Sequence, residues 1–256
     1  MAIIDAHQHL YAEPNALEKL VNISQRNGIK KVCLSACGEQ YHQPGNDAVR
    51  DAFIKYPDLI IGFGYIRLGI DAPSRIDYFL EEGFKGIKII NPRKPYNAHE
   101  FFPIYEKAAK YRMPMLFHTG IAARVETDKE FQTDSATMRP IYLDGIARAF
   151  PELTLIGAHL GSPWFDEACC IAAMNPNVYF DLSWAIFTLA EKPAAFFDSL
   201  TYWERAQSKL LFGIDSPYEN IPKVIETFNK FFENQAFPPE LVSQIMFENI
   251  QNLLFG

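Results

Sequence analysis

The stretch Ile3-Ile4-Asp5-Ala6-His7-Gln8-His9-Leu10 opens on an apolar pair and ends in a His-x-His pattern. Side chains of a strand alternate between its two faces, so His7 and His9 point the same way if this segment is extended. On a helix, two positions apart, they would diverge. Two imidazoles on one face at a strand end can bind one metal ion, and the weight of the pattern depends on where further ligands come from.

Outward from this strand the element types alternate. Leu17, Leu20, Val21 and Ile23 have helical spacing within 16–26, and Gly28 follows as a stop. Short apolar runs predict strands at 31–36, 59–66, 86–90, 115–118, 153–159, 178–182 and 210–215. Helices are expected at 46–56, 72–82, 100–111, 139–150, 164–174, 190–206, 221–233 and 239–254. A long polar connection spans 119–137, and loops of that length are usually functional or mobile. Strands this apolar are expected when both faces of a parallel sheet are buried. Eight of them, each followed by a helix, in a chain of 256 residues predict an α/β fold, a (β/α)8 TIM barrel, as a single domain over 1–256.

Composition agrees with a globular protein rather than a fibre or a membrane span. Hydrophobic residues make up 48% of the chain, enough for a sizeable core. A net charge of −7 disfavours a nonspecific hold on nucleic acid or an anionic membrane. No apolar run approaches the ~20 residues that span a bilayer. The chain starts inside its first strand, so no secretory signal is expected, and the four cysteines (Cys33, Cys37, Cys169, Cys170) are too few for a disulfide scaffold. These features predict a reducing, cytoplasmic setting. Cys33 sits inside a strand pattern and reads as a small buried hydrophobe rather than as half of a metal pair with Cys37.

Active sites of such barrels lie at the C-terminal ends of the strands. Strand one ends in His7 and His9, strand five in His118, strand six in His159 and strand eight in Asp215. Four of the six histidines thus fall on one rim, a grouping that scattered core or surface histidines do not explain. Imidazoles with a carboxylate suit one divalent ion, zinc first and manganese second. Such an ion brings the pKa of water from about 15.7 towards ~7, and a neighbouring carboxylate can carry the proton.

With these residues placed, the sequence resembles the metal-dependent amidohydrolase superfamily, in its amidohydrolase-related branch. The matching pieces are IIDAHQHL (3–10), GFKGIKI (83–89), LFHTG (116–120), MRP (138–140), FPELTLIGAHLG (150–161), LLFGIDSP (210–217) and the closing FENIQNLLFG (247–256). The resemblance implies His7, His9, His118 and Asp215 as the ligands of a single ion. It implies that His159 acts on substrate or water, and that Asp215 is both ligand and proton carrier. It also implies hydrolysis of a small, carboxylated lactone or amide, with non-oxidative decarboxylation of a carboxylated aromatic acid as the alternative. Relatives often form dimers or larger assemblies, so a homo-oligomer stays open.

Other residues are weighed against plainer roles. Lys88, in strand four, aids an anionic substrate or pairs with an acid inside the barrel; in several branches a strand-four lysine is carboxylated and bridges two metals. Arg67, Arg93 and Arg124 follow strands three, four and five, where a guanidinium could grip a carboxylate or simply meet solvent. Trp164 walls the pocket or packs on the barrel, and Trp184 is read the same way. Asp5 and Asp181 are expected to support a ligand or a buried basic group. A TatD-type nuclease would share the histidines but needs an early-strand glutamate, which GFGYIRL (62–68) lacks. A metal-binding barrel without catalysis is the remaining rival.

Overall fold

A computed structural model describes residues 2–256 apart from 202 and 203, and leaves the side chains of 204 and 205 undescribed. Eight strands form one sheet in the order of the chain: β1 Ile3–His9, β2 Ile29–Ser35, β3 Ile60–Ile66, β4 Gly86–Ile89, β5 Met115–Phe117, β6 Leu155–Gly157, β7 Val178–Asp181 and β8 Leu210–Leu211. Every neighbouring pair is parallel. The last seam closes through Ala6 N–H to the Phe212 carbonyl at 3.0 Å and Asp215 N–H to the His7 carbonyl at 2.8 Å. The protein is a TIM barrel. Among the described residues no helix is long and apolar enough to cross a membrane.

Period-two alternation explains how these strands bury both faces. Val32, Leu34, Ile87, Ile89, Met115, Phe117 and Leu155 join the large apolar cluster shared with the helices. Alternate positions of the same strands, Cys33, Ile61, Phe63, Leu116 and Ile156, fall in a second cluster. Lys88 lies between Ile87 and Ile89 and pairs in register with Leu116, so it shares the inward parity. Cys33 is a free, buried thiol, as a small hydrophobe would be.

The helices are α1 Ala16–Arg26, α2 Asn46–Lys55, α3 Ser74–Glu81, α4 Phe102–Lys110, α5 Asp128–Phe131, α6 Tyr142–Ala149 and α7 Phe165–Met174. They continue as α8 Ala185–Leu189, α9 Ala194–Leu200, α10 Glu204–Gln207, α11 Ile221–Asn234, α12 Pro239–Ser243 and α13 Asn249–Phe255. Four differences from the sequence reading have local causes. The helix expected at 139–150 starts only at Tyr142, because Arg139 precedes Pro140 and is held extended at ψ 142°. The region expected as one helix over 190–206 is broken, with Pro193 extended ahead of α9; its positions 202 and 203 lie outside the described residues. Strand six is shorter than 153–159, because His159 and Leu160 take left-handed turns at φ 61° and 45°. The closing helix holds a π turn at Gln244–Glu248, and within it the Ile245 carbonyl accepts the Phe212 N–H at 2.9 Å.

The phenylalanines of α11 serve as packing. Phe228 is fully buried, with its ring 4.6 Å from Phe212 beyond β8 and 5.8 Å from Phe232. Phe228→Ala is expected to cost about 3–5 kcal/mol, read as a lowered urea midpoint.

Candidate metal centre

The strand ends bring His7, His9, His159 and Asp215 together. His7 Nε2 and His9 Nε2 lie 3.2 Å apart, and His9 Nε2 lies 3.3 Å from Asp215 Oδ1. His159 Nε2 stands 3.5 Å from Asp215 Oδ2. Asp215 sits at φ 42°, a left-handed turn that a non-glycine residue seldom takes, with its N–H anchored on His7. His118 follows β5, with its N–H on the Ile89 carbonyl at 2.8 Å and its own carbonyl on the Tyr96 hydroxyl at 2.7 Å. Its Nδ1 is 3.2 Å from His159 Nε2, so it joins the group through His159.

Hydrogen bonds behind the rings fix their tautomers. His7 Nδ1 faces Asp181 Oδ2 at 3.0 Å, and His9 Nδ1 faces the Ser35 carbonyl at 3.0 Å. Both acceptors require a proton on Nδ1, which leaves a lone pair on each Nε2. His159 Nδ1 faces the Ser183 carbonyl at 3.1 Å, so its Nε2 is also a lone pair and His118 Nδ1 must carry the proton towards it. His118 Nε2 is then a lone pair, buried and without a partner. Asp181 is the hub of this support: its Oδ1 accepts the N–H groups of His159 at 3.1 Å and Ser183 at 2.9 Å, and the Ser183 hydroxyl.

This donor set fits a divalent ion. Two lone pairs facing each other at 3.2 Å repel unless a cation lies between them. Ligand bonds of about 2.0–2.1 Å in a tetrahedron give edges near 3.3 Å, the spacing of His7 to His9 and of His9 to Asp215. His7, His9 and Asp215 form one group able to hold an ion, and His7, His159 and Asp181 form another. Lys88 Nζ lies 2.7 Å from His7 Nε2, inside the barrel and fully buried. Burial pushes its pKa down, against the pull of Asp215, Cys37 and Asp181.

Burial tunes the titrating groups in opposite directions. It lowers His7, His9 and His118 well below the ordinary histidine range. It lowers His159 to about 4, although the Asp181 charge opposes it. It raises Asp215 to about 7, with Lys88 and a hydrogen bond from Trp184 opposing. Asp5 is buried and raised well above the carboxylate range; its Oδ1 accepts the N–H groups of His7 and Ile214, both at 3.0 Å.

The remaining expected site residues are dispersed. Arg67 is buried just after β3, with Nε on the Asn91 carbonyl at 3.3 Å. Arg93 is exposed and donates to Gln132 Oε1 at 2.5 Å, and Arg124 is exposed in the loop after β5. Trp164 is half-buried under the Arg139 guanidinium at 5.2 Å. Among the described residues no hydrogen bond, ion pair or ring contact ties Arg93, Arg124 or Trp164 to the histidines. Ser183 escaped the sequence reading, although it stands two positions from Asp181, a spacing that shares a face in a strand. Gln40 and Asn91, both fully buried on this rim, carried no signal as isolated amides in loops.

A TIM barrel with convergent histidines and a carboxylate at its C-terminal rim defines a metal-dependent enzyme class. The amidohydrolase family model matches residues 39–255, and the chain belongs to that family. No curated protein matches the sequence. A TIM-barrel protein from Bordetella bronchiseptica is 20% identical over 99% of this chain and 98% of its own, with a TM-score of 0.78. A protein from Acinetobacter baumannii, described as a probable 2-pyrone-4,6-dicarboxylic acid hydrolase, is 14% identical over 99% of both chains, with a TM-score of 0.67. The 2,6-dihydroxybenzoate decarboxylase from Rhizobium is 14% identical over 99% of this chain and 98% of its own, at 0.67. At such identities the likeness is one of fold.

The buried, neutral His159 makes metal-free protein sensitive to acid. Its folded pKa is lowered, so its contribution to stability is complete above about pH 6.5 and is lost as pH falls through about 4. Chelator-treated protein should therefore lose up to about 3 kcal/mol between those limits relative to His159→Gln. Urea melts of both proteins across that range read the difference; parallel curves would refute it.

Proposed function

We propose that the protein is a metal-dependent hydrolase of a small carboxylated substrate with a lactone or amide-type bond. The observation that carries this reading is the convergence of His7 Nε2, His9 Nε2 and Asp215 Oδ1 with both Nδ1 positions held from behind. His7, His9 and Asp215 would hold the ion, with His118 supplying its buried Nε2. Zinc is the first candidate and manganese the second. When bound, the ion would act as a Lewis acid and make water ionise near neutral pH.

The chain's own groups then divide the proton work. Asp215 presents Oδ2 towards His159 Nε2 at 3.5 Å, placed to accept a proton from water and pass it to a leaving group. His159, lowered to about 4, stays neutral near neutral pH and presents an Nε2 lone pair beside Asp215. It can orient a water or accept its hydrogen bond. Asp181 and Ser183 hold His159 and His7 in these orientations, so the ring nitrogens need not reorganise during reaction. Decarboxylation of a carboxylated aromatic acid is the second reading, since a proton carrier at Asp215 can equally protonate a carbon. Release of carbon dioxide, against net addition of water, separates the two. A small-molecule substrate, with neither nucleic acid nor membrane as partner, fits the burial of this centre. We place the protein in the cytoplasm and leave its assembly as a possible homo-oligomer to direct measurement.

Metal analysis tests the centre. About one ion per chain is expected, lost in His118→Ala and Asp215→Asn. Asp181→Asn should weaken metal affinity about 10–100-fold, because it removes the carboxylate behind His7. Two ions per chain would instead draw Lys88 into a binuclear site, and none after zinc or manganese supplementation would sink the proposal.

A further inference from the structure

Trp184, which follows β7, combines a strained backbone with an exposed ring. It sits at φ 56° and ψ −48°, and the Ala185 N–H donates to the Ser183 carbonyl around it at 2.5 Å. This is a rare three-residue turn that a bulky residue seldom adopts. Packing does not offset the strain. Trp184 is 54% exposed, between a buried Ser183 and a buried Ala185. Among the described residues its ring meets one other, the edge of Phe187 at 6.2 Å. Strain that persists without packing marks a position held for another reason.

That reason lies across the seam between β7 and β8. Asp181 pairs in register with Leu211, and the Leu182 N–H donates to the Leu211 carbonyl at 3.1 Å. Trp184 and Asp215 therefore lie just past the ends of adjacent strands. The Trp184 indole N–H donates to the Asp215 carboxylate. The imidazoles around that carboxylate cannot do so. His9 Nε2, 3.3 Å from Oδ1, and His159 Nε2, 3.5 Å from Oδ2, both present lone pairs, as does His7 Nε2 at 3.9 Å from Oδ2. Among the described residues the indole is thus the one hydrogen-bond donor that fixes which way Asp215 faces.

A carboxylate that ligates an ion is held in orientation by a donor behind it. We propose that Trp184 is the positioning residue of Asp215: its strained turn presents the indole N–H to the carboxylate and keeps it directed at the ion. The same turn aims the Ser183 carbonyl at His159 Nδ1, 3.1 Å away, so one irregular segment sets two groups of the centre. The assignment rests on Asp215 being a ligand of the proposed ion.

The test uses the chelator-treated full chain, with zinc alone as the probe. Trp184→Phe keeps an aromatic ring on the turn and deletes the N–H. Its zinc affinity, measured by competition with a chromophoric chelator, should fall about tenfold or more, with the urea midpoint of the metal-free protein unchanged. Trp164→Phe, which removes the indole under Arg139, should leave zinc affinity as it is. A second readout needs no metal. The indole N–H signal of Trp184, assigned by its absence from Trp184→Phe, should exchange with deuterium about tenfold faster in Asp215→Ala. Wild-type zinc affinity in Trp184→Phe, or an exchange rate unmoved in Asp215→Ala, overturns the assignment. A urea midpoint lowered in step with zinc affinity would mark a packing role and overturn it as well. If the wild-type protein takes up no zinc while the indole signal still responds to Asp215→Ala, the metal reading falls and Trp184 stands as the residue that holds Asp215.

Discussion

The hydrogen bond between His7 Nδ1 and Asp181 Oδ2, at 3.0 Å, is the contact on which the rest of the centre depends. It ties β1 to β7 at the rim and sets the tautomer of His7, which aims the Nε2 lone pair at His9. Asp181 does more with its other oxygen, which gathers the His159 and Ser183 N–H groups. One fully buried carboxylate thus positions two of the four rim histidines. A buried charge is tolerated only when donors surround it, and here four donors do. The barrel supplies them because β1, the turn after β6 and the end of β7 meet at one height.

The price of that arrangement is a polar upper barrel above an apolar lower one. Lys88 lies between Ile87 and Ile89, and Asp5 between Ile4 and Ala6, so each buried polar group is flanked in its strand by apolar residues. Burial moves their pKa values towards the neutral forms, lysine down and aspartate up.

Much of this was legible in the sequence, because it depends on period and order. Alternation placed His7 and His9 on one face, and the eight apolar runs gave the strand order, with α1 matching its expected range at both ends. Asp181 and Asp5 emerged as supporting acids because they share strands with the rim. What stayed hidden depends on turns and on partners distant in sequence. The left-handed turns at His159 and Asp215, which aim those side chains, carry no glycine to announce them. The network of Gln40, Arg67, Asn91 and Phe131 spans 92 residue positions, from 40 to 131, and none of its members is unusual alone. Arg93 and Arg124 satisfied the same positional argument as Arg67, and only burial separates them from it.

On the reading proposed above, that difference in burial also reconciles an acidic chain with an acidic substrate. A net charge of −7 repels an anion at long range. At physiological salt, however, charges farther apart than about 8 Å are largely screened. Within the screened distance the local groups dominate, and a guanidinium in a low-dielectric recess attracts far more strongly than one in water. Arg67 is also protected from its own neighbours: Phe131 covers one face of its plane, and two backbone carbonyls hold its edge without neutralising it. Carbonyl acceptors orient a cation and leave its charge available, whereas a carboxylate partner would spend it. The same logic governs the histidines, whose Nδ1 positions are held by one carboxylate and two carbonyls. In both halves of the rim the protein fixes the direction of a group through one side and turns its other side towards neighbouring rim groups.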